Sequence, residues 1–362
     1  MKKTVMVTAG LIAVLTFGIA GSIAGRSSAA LDTLAGDWTA KVRDTPMGTV
    51  LWLTLQYEST TRNHRSNMSF DIPLQDVSGL NPGANGNVQF NLARDAGNVV
   101  FNGLFSDRKG VGDFRFVPNA NFAGTMRGLG YDNLSIEKLF VMAVHDVSLK
   151  FINEMKSLGF NNLSTDKLIA MRIHRVDGEF VRSMRSLGYD DLSADKLIAM
   201  KIHGVNENFI KEVEALGFKK QPADKLIAMR IHRVDGELIK KVKAMGFNDL
   251  SIDQYITLQI HRVDEGFIDG LRSLGYSNLS FDKLVAMRIH RVDDKFVKEL
   301  EELGYSKIPA DKLIAMKIHG VTGSFIREMR DSGYSNLSVD DLINLRIHRV
   351  DSAYIKKMKG IQ

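Results

Sequence analysis

The 362-residue chain predicts an α+β protein of two parts, a small antiparallel β domain followed by an α-solenoid of short helical hairpins. Eight of its nine histidines, His145, His174, His203, His232, His261, His290, His319 and His348, follow one another at intervals of 29 residues. The text around them recurs, as in TDKLIAMRIHRVDGEF and FDKLVAMRIHRVDDKF, so one supersecondary unit is copied in tandem. Ahead of the copies, from Leu31 to Pro118, apolar residues alternate with period two instead of the helical period.

In chain order, residues 1–29 read as a secretory signal. Lys2 and Lys3 form a charged start, Val5 to Ala24 an apolar stretch, and Ser27-Ser28-Ala29 a cleavage site of small residues. The mature chain is then exported, to the periplasm or the cell exterior. The absence of cysteine excludes disulfides and thiol redox chemistry, so stability comes from packing. Removing the signal takes away Lys2, Lys3 and Arg26 and no acid, which lowers the formal charge from +6 to +3. Such a balance predicts neither a nucleic-acid partner nor strong binding to an anionic membrane.

The β domain is expected over residues 30–118 with about six strands. Leu51, Leu53, Leu55 and Tyr57 share one face against Trp52, Thr54 and Gln56. Val88, Phe90 and Leu92, then Val99, Phe101 and Phe105, then Phe114 and Phe116 continue the alternation. Asp95-Ala96-Gly97 and the stretch from Asp107 to Gly112 supply turns. Gly36-Asp37-Trp38 resembles the opening of lipocalin-type barrels, in which the tryptophan plugs one end. That resemblance implies a ligand cavity, against which stands a solid β core in a domain short for eight full strands; in the carrier alternative Trp38 and Trp52 are the candidate contacts to a small apolar molecule.

The solenoid is expected over residues 119–362 as eight repeats and a C-terminal capping helix. A first helix such as Gly178 to Leu187 ends at Gly188, with Tyr189 folding back in a Schellman stop. A second helix starts at a serine cap such as Ser193, or at Pro222 and Pro309 in a first turn. It runs through the histidine to the valine, where Asp177 and its equivalents cap the next first helix. On the second helix Leu197, Ile198, Ala199, Met200 and Ile202 nearly encircle the axis, so cover is expected on several sides. Ser352 to Lys359 is a lysine-rich end cap.

A ladder of histidines suggests metal. Stacked helices lie about 8 to 10 Å apart, however, while ligands approach a metal to roughly 2 Å, so equivalent imidazoles cannot converge. Each histidine is instead expected to bond a carbonyl or the loop aspartate and lock its hairpin. Lysine and arginine ladders recur beside aspartates at the same spacing, which predicts ion pairs between units. The first helices vary most between copies, so Arg182, Arg185, Lys211, Glu214, Lys240 and Lys243 are the candidate partner-binding residues. No catalytic, metal or cofactor-binding residues are expected, since there is no GxSxG, Walker loop, HExxH or Cys-His pair.

The two regions together resemble a group of bacterial envelope proteins. There a β segment like FNLARDAGNVVFNGLFSDRKGVGDFRFVPN precedes hairpins of the type LRSLGYSNLSFDKLVAMRIHRVD. Some relatives are attached to BlaR1-like sensor regions, which implies an extracytoplasmic sensing or interaction role. Peptidase activity does not carry over, because this chain lacks the zinc motif. The expected function is a non-enzymatic scaffold that binds a protein or peptide of the envelope through the solenoid. A carrier or sensor using the β domain is the alternative.

Overall fold

The computed structural model describes residues 33–59, 65–83 and 85–360. The export signal expected over residues 1–29 and the lone His64 lie outside these. Among the described residues, a six-stranded antiparallel sheet is followed by 17 short helices. The chain forms two compact units that divide between Val144 and His145.

The strands are β1 (Leu34–Thr45), β2 (Gly48–Glu58), β3 (Arg65–Pro73), β4 (Gly86–Arg94), β5 (Gly97–Ser106) and β6 (Lys109–Pro118), in spatial order β3-β2-β1-β6-β5-β4. Two three-stranded meanders are thus joined through β1 and β6. The alternation sets which face turns inward: Leu51, Leu53 and Leu55 are fully buried, while Trp52, Thr54 and Gln56 between them are half-buried. The β5–β6 turn is tighter than the sequence suggests. Asp107 and Arg108 both take positive φ (50° and 63°), so the hairpin closes in two residues and β6 resumes at Lys109.

The sheet is curled. Two strands stand between β1 and β4, a spacing of about 14 Å in a flat sheet, yet the rings of Trp38 and Phe90 meet edge to face at 5.1 Å. Close backbone approach makes room for the indole. A Cβ on Gly110 would stand 2.7 Å from its ring.

The helices α1 (Ala120–Gly128) and α2 (Ile136–Val144) are the first hairpin of the repeat, and α2 closes the inner face of the sheet, packing on β1, β4, β5 and β6. Phe140, fully buried, stacks on Phe114 at 5.4 Å and meets Tyr57 at 5.3 Å. The compact division therefore falls inside the first repeat, beyond the Pro118 boundary that the change of period marks.

From Leu149 onward the hairpins are nearly identical, and α4 (Thr165–Ile173), α5 (Gly178–Ser186) and α6 (Ala194–Ile202) represent them. Ser193 caps α6 through its hydroxyl, which accepts from Lys196 N, and Asp177 caps α5 by accepting from Phe180 N at 2.9 Å. The expected Schellman stop is present after α5, where Tyr189 N donates to Met184 O and Gly188 N to Arg185 O. Pro222 and Pro309 stand one position earlier than expected, at the N-cap itself, without a side-chain hydrogen bond. From α4 onward the second helices stop at the isoleucine with the histidine as C-cap and the valine beyond it, except the one that starts at Ile252, which runs through His261 to a C-cap at Arg262.

Candidate functional site

The joints between units consume most of the repeated charge. Lys167 pairs with Asp195, Lys196 with Asp224, Lys225 with Asp253, Lys283 with Asp311 and Lys312 with Asp340. These are the inter-unit ion pairs that the matching ladders predict. A second tie starts at the residue before the exposed isoleucine. Arg172 lies 5.3 Å from the ring of Phe151 in its own unit, while its Nε donates to the carbonyl of His145 in the preceding unit at 3.1 Å. Arg230, Arg288 and Arg346 repeat the bond on His203, His261 and His319. A helix C-terminus leaves carbonyls without partners, and a guanidinium beside it satisfies one.

This corrects the role expected of the histidines. It is the backbone carbonyl that recurs in the lock, supplied by the neighbour's arginine. Among the described residues the imidazoles of His174, His203, His232, His261, His290, His319 and His348 make no hydrogen bond. In His145, burial and then the nearby Arg172 charge hold the imidazole below the ordinary histidine range. No group of three His, Asp or Glu side chains converges as metal ligands would, among the described residues. Accordingly His232→Ala is expected to change stability by less than about 0.5 kcal/mol and added zinc to leave the Tm unaltered. Arg230→Ala, which loses the carbonyl bond and the stack on Phe209 at 4.9 Å, is expected to cost about 1 kcal/mol in urea denaturation.

The first-helix candidates are largely engaged within the array. Arg182 pairs with Glu154 of the preceding unit at 3.0 Å, and Arg185 donates to Leu158 O at 2.6 Å, a clamp repeated by Arg272 on Met245 O. Lys211 pairs with Glu207 one turn away, Lys243 lies over Phe218, and Glu214 is half-buried near Tyr189. Lys240 is exposed. Of the varied first-helix charges, Arg182 and Arg185 thus serve as unit-to-unit ties.

One such tie pairs residues 24 apart across each joint. Where the earlier residue is Glu154, Glu212 or Glu299, the later one is Gly178, Gly236 or Gly323, and a Cβ there would overlap the carboxylate. Glu212 accepts from Gly236 N at 3.2 Å, placing a carboxylate on a helix N-terminus. Where the earlier residue is Ser183 or Lys241, the acid sits on the other side as Glu207 or Glu265, bonded to it at 2.8 and 2.7 Å. These joints therefore hold one carboxylate each.

The two tryptophans proposed as ligand contacts do not share a cavity. Trp38 is 1% exposed, its Nε1 donates to Asn102 O at 3.1 Å, and Phe90 and Phe101 meet it edge to face. Trp52 alternates with the buried leucines and so lies on the other face, under Arg43 at 4.0 Å.

What the array leaves outward is a ladder that sequence reasoning placed in the core. Ile202, expected to be covered, is 53% exposed, and its equivalents from Ile173 to Ile347 lie between 47 and 55%. It occupies the last turn of its helix, pointing away from the layer formed by Leu197, Ile198 and Met200. Two residues on, Arg175, Arg233, Arg262, Arg291 and Arg349 are exposed with φ of 54 to 57°, the left-handed region, where Gly204 and Gly320 stand in other units. The signal was present in the sequence, since five apolar residues crowd a helix of only nine. One of them had to face outward.

No protein-family model, curated protein or solved structure matches the chain.

Proposed function

We propose that the protein is an exported, non-enzymatic scaffold that binds a protein or peptide of the bacterial envelope through its helical array. The observation that carries this reading is the ladder of half-exposed isoleucines, each followed two residues on in five units by an exposed arginine without an ion pair among the described residues. The ends of the second helices support this reading better than the varied first helices, where Arg182 and Arg185 are engaged in ties to the preceding unit. The filled inner face of the sheet around Trp38 gives the carrier alternative no support.

The test is capture from an envelope extract by the immobilised full chain. Replacing Ile231, Ile260, Arg233 and Arg262 by serine is expected to reduce capture at least tenfold with unchanged circular dichroism. Replacing Arg43 and Trp52 by serine, on the outer face of the sheet, is expected to leave it intact. The reverse pattern would make the β domain the binding part and the array a spacer.

A further inference from the structure

Three repeated side chains make no hydrogen bond or ion pair that ties one unit to the next, among the described residues. From Ile173 onward the isoleucine in the last turn of the second helix is half exposed, which forfeits apolar burial. The histidine after it, from His174 onward, makes no side-chain hydrogen bond among the described residues. The arginine after that occupies left-handed backbone in five units, a conformation that favours glycine, which the chain uses at Gly204 and Gly320. Residues that copy from unit to unit ordinarily do so because each unit needs them against its neighbour. None of these three side chains bonds the neighbour in that way, and a ligand that runs along the array gives a cause for their repetition.

The ladder's chemistry and period both constrain that ligand. Arg175, Arg233, Arg262, Arg291 and Arg349 are exposed and enter no ion pair among the described residues, so an unneutralised cation recurs at the ends of five second helices. The opposite ends of these helices are neutralised by the Lys–Asp pairs. An anionic partner is selected, and the isoleucines require that it also carry apolar groups, which a purely charged polymer lacks. Adjacent second helices pack on one another, so the rungs stand about 8 to 10 Å apart. A polyproline II chain turns once in three residues and rises about 9.3 Å per turn, so every third side chain presents the same face at that spacing. A β-strand advances about 10 Å in three residues, but its third residue points to the opposite face. A lipid bilayer takes up an area, whereas the ladder is a line one isoleucine wide.

We propose, resting on the scaffold reading, that the ladder binds an extended, proline-containing peptide segment in which an acidic and an apolar residue recur every three positions. The acidic groups meet Arg233, Arg262 and their equivalents, and the apolar groups pack on Ile231, Ile260 and theirs. Disorder costs such a segment little, because the polyproline II form is already populated in the free chain.

The experiment is fluorescence anisotropy of a labelled synthetic peptide with six Glu-Val-Pro repeats, titrated with the full chain. A control peptide of Glu-Val-Pro-Pro repeats has the same groups at the wrong period. Expected is at least tenfold tighter binding of the first peptide, lost when Ile231 and Ile260 are replaced by serine. A second variant carries Arg233→Gly and Arg262→Gly, which relieve the backbone and are expected to raise the Tm slightly while weakening the peptide at least fivefold. A structural role for these arginines predicts a lower Tm. Equal affinity for both peptides, no binding of either, or insensitivity to both variants would overturn the proposal. So would binding to anionic phosphatidylglycerol vesicles that depends on the ladder while the peptide does not bind. Ladder-dependent capture from the envelope without peptide binding would overturn this inference and leave the scaffold reading standing.

Discussion

Phe140→Ala is expected to destabilise the N-terminal unit by about 3 to 5 kcal/mol, the range for emptying a buried phenylalanine site. The ring is fully buried and bridges both halves of the sheet, meeting Tyr57 from β2, Phe114 and Phe116 from β6. The informative variant is Phe140→Ile. At the equivalent position the later units carry isoleucine, as at Ile169, Ile198 and Ile227, so this change brings the first repeat closer to its copies. It is nevertheless expected to cost about 1 to 3 kcal/mol, because isoleucine leaves part of the aromatic pocket empty. Urea denaturation followed by the fluorescence of buried Trp38, with circular dichroism at 222 nm reporting the array, separates the two units. An equal shift in both signals, or none, would contradict the assignment of α2 to the sheet.

Removing residues 178–206 should weaken the array, while removing residues 265–293 should leave it folded and cooperative. Both deletions take out one whole repeat, and both leave the Lys-to-Asp and Leu-Ile-Met layers in register. They differ in the carboxylate joint. The first brings Glu154 against Glu207, whose side chain occupies the space that Gly178 leaves open for the Glu154 carboxylate. Two like charges then share a helix N-terminus that accommodates one. The second brings Lys241 against Asp294, an opposite-charge pair of the kind already formed by Lys241 and Glu265. Because Glu154 is partly solvated, the difference between the deletions is expected at about 1 to 2 kcal/mol in urea midpoints. Adding Glu207→Gly to the first deletion should recover it. Deleting about half a unit instead breaks helix register and should abolish the helical signal of the adjoining units. If the two whole-unit deletions melt alike, the one-carboxylate joint has no energetic weight.

Much of this architecture was legible because its causes are local. The six strands follow from alternation that puts Leu51, Leu53 and Leu55 on one face, and the helix ends from Ser193, Asp177 and Gly188, each of which satisfies its own backbone within a few residues. The period of 29 residues then implied that equivalent charges meet wherever both copies carry them, as Lys167 and Asp195 do. The departures of α2 from its copies, Phe140 for isoleucine and Ala143 for the basic residue at Arg172, were also visible. Their meaning was not, because nothing near them in the chain names the sheet as the surface they pack on.

The sequence by itself determined the periods, the caps and the matching of charge between copies, since these depend on spacing along one chain. Only the tertiary structure decided which side of a nearly all-apolar helix is left outward. Leu197, Ile198 and Met200 face the neighbouring helices and Ile202 does not, a choice set by the direction of stacking and invisible to a hydrophobic count. It likewise decided that the histidine contributes its carbonyl, because the arginine that reaches it lies 27 residues away in the next unit. Side-chain partners across a joint depend on where packing brings two surfaces together, and a linear text records only that the residues recur.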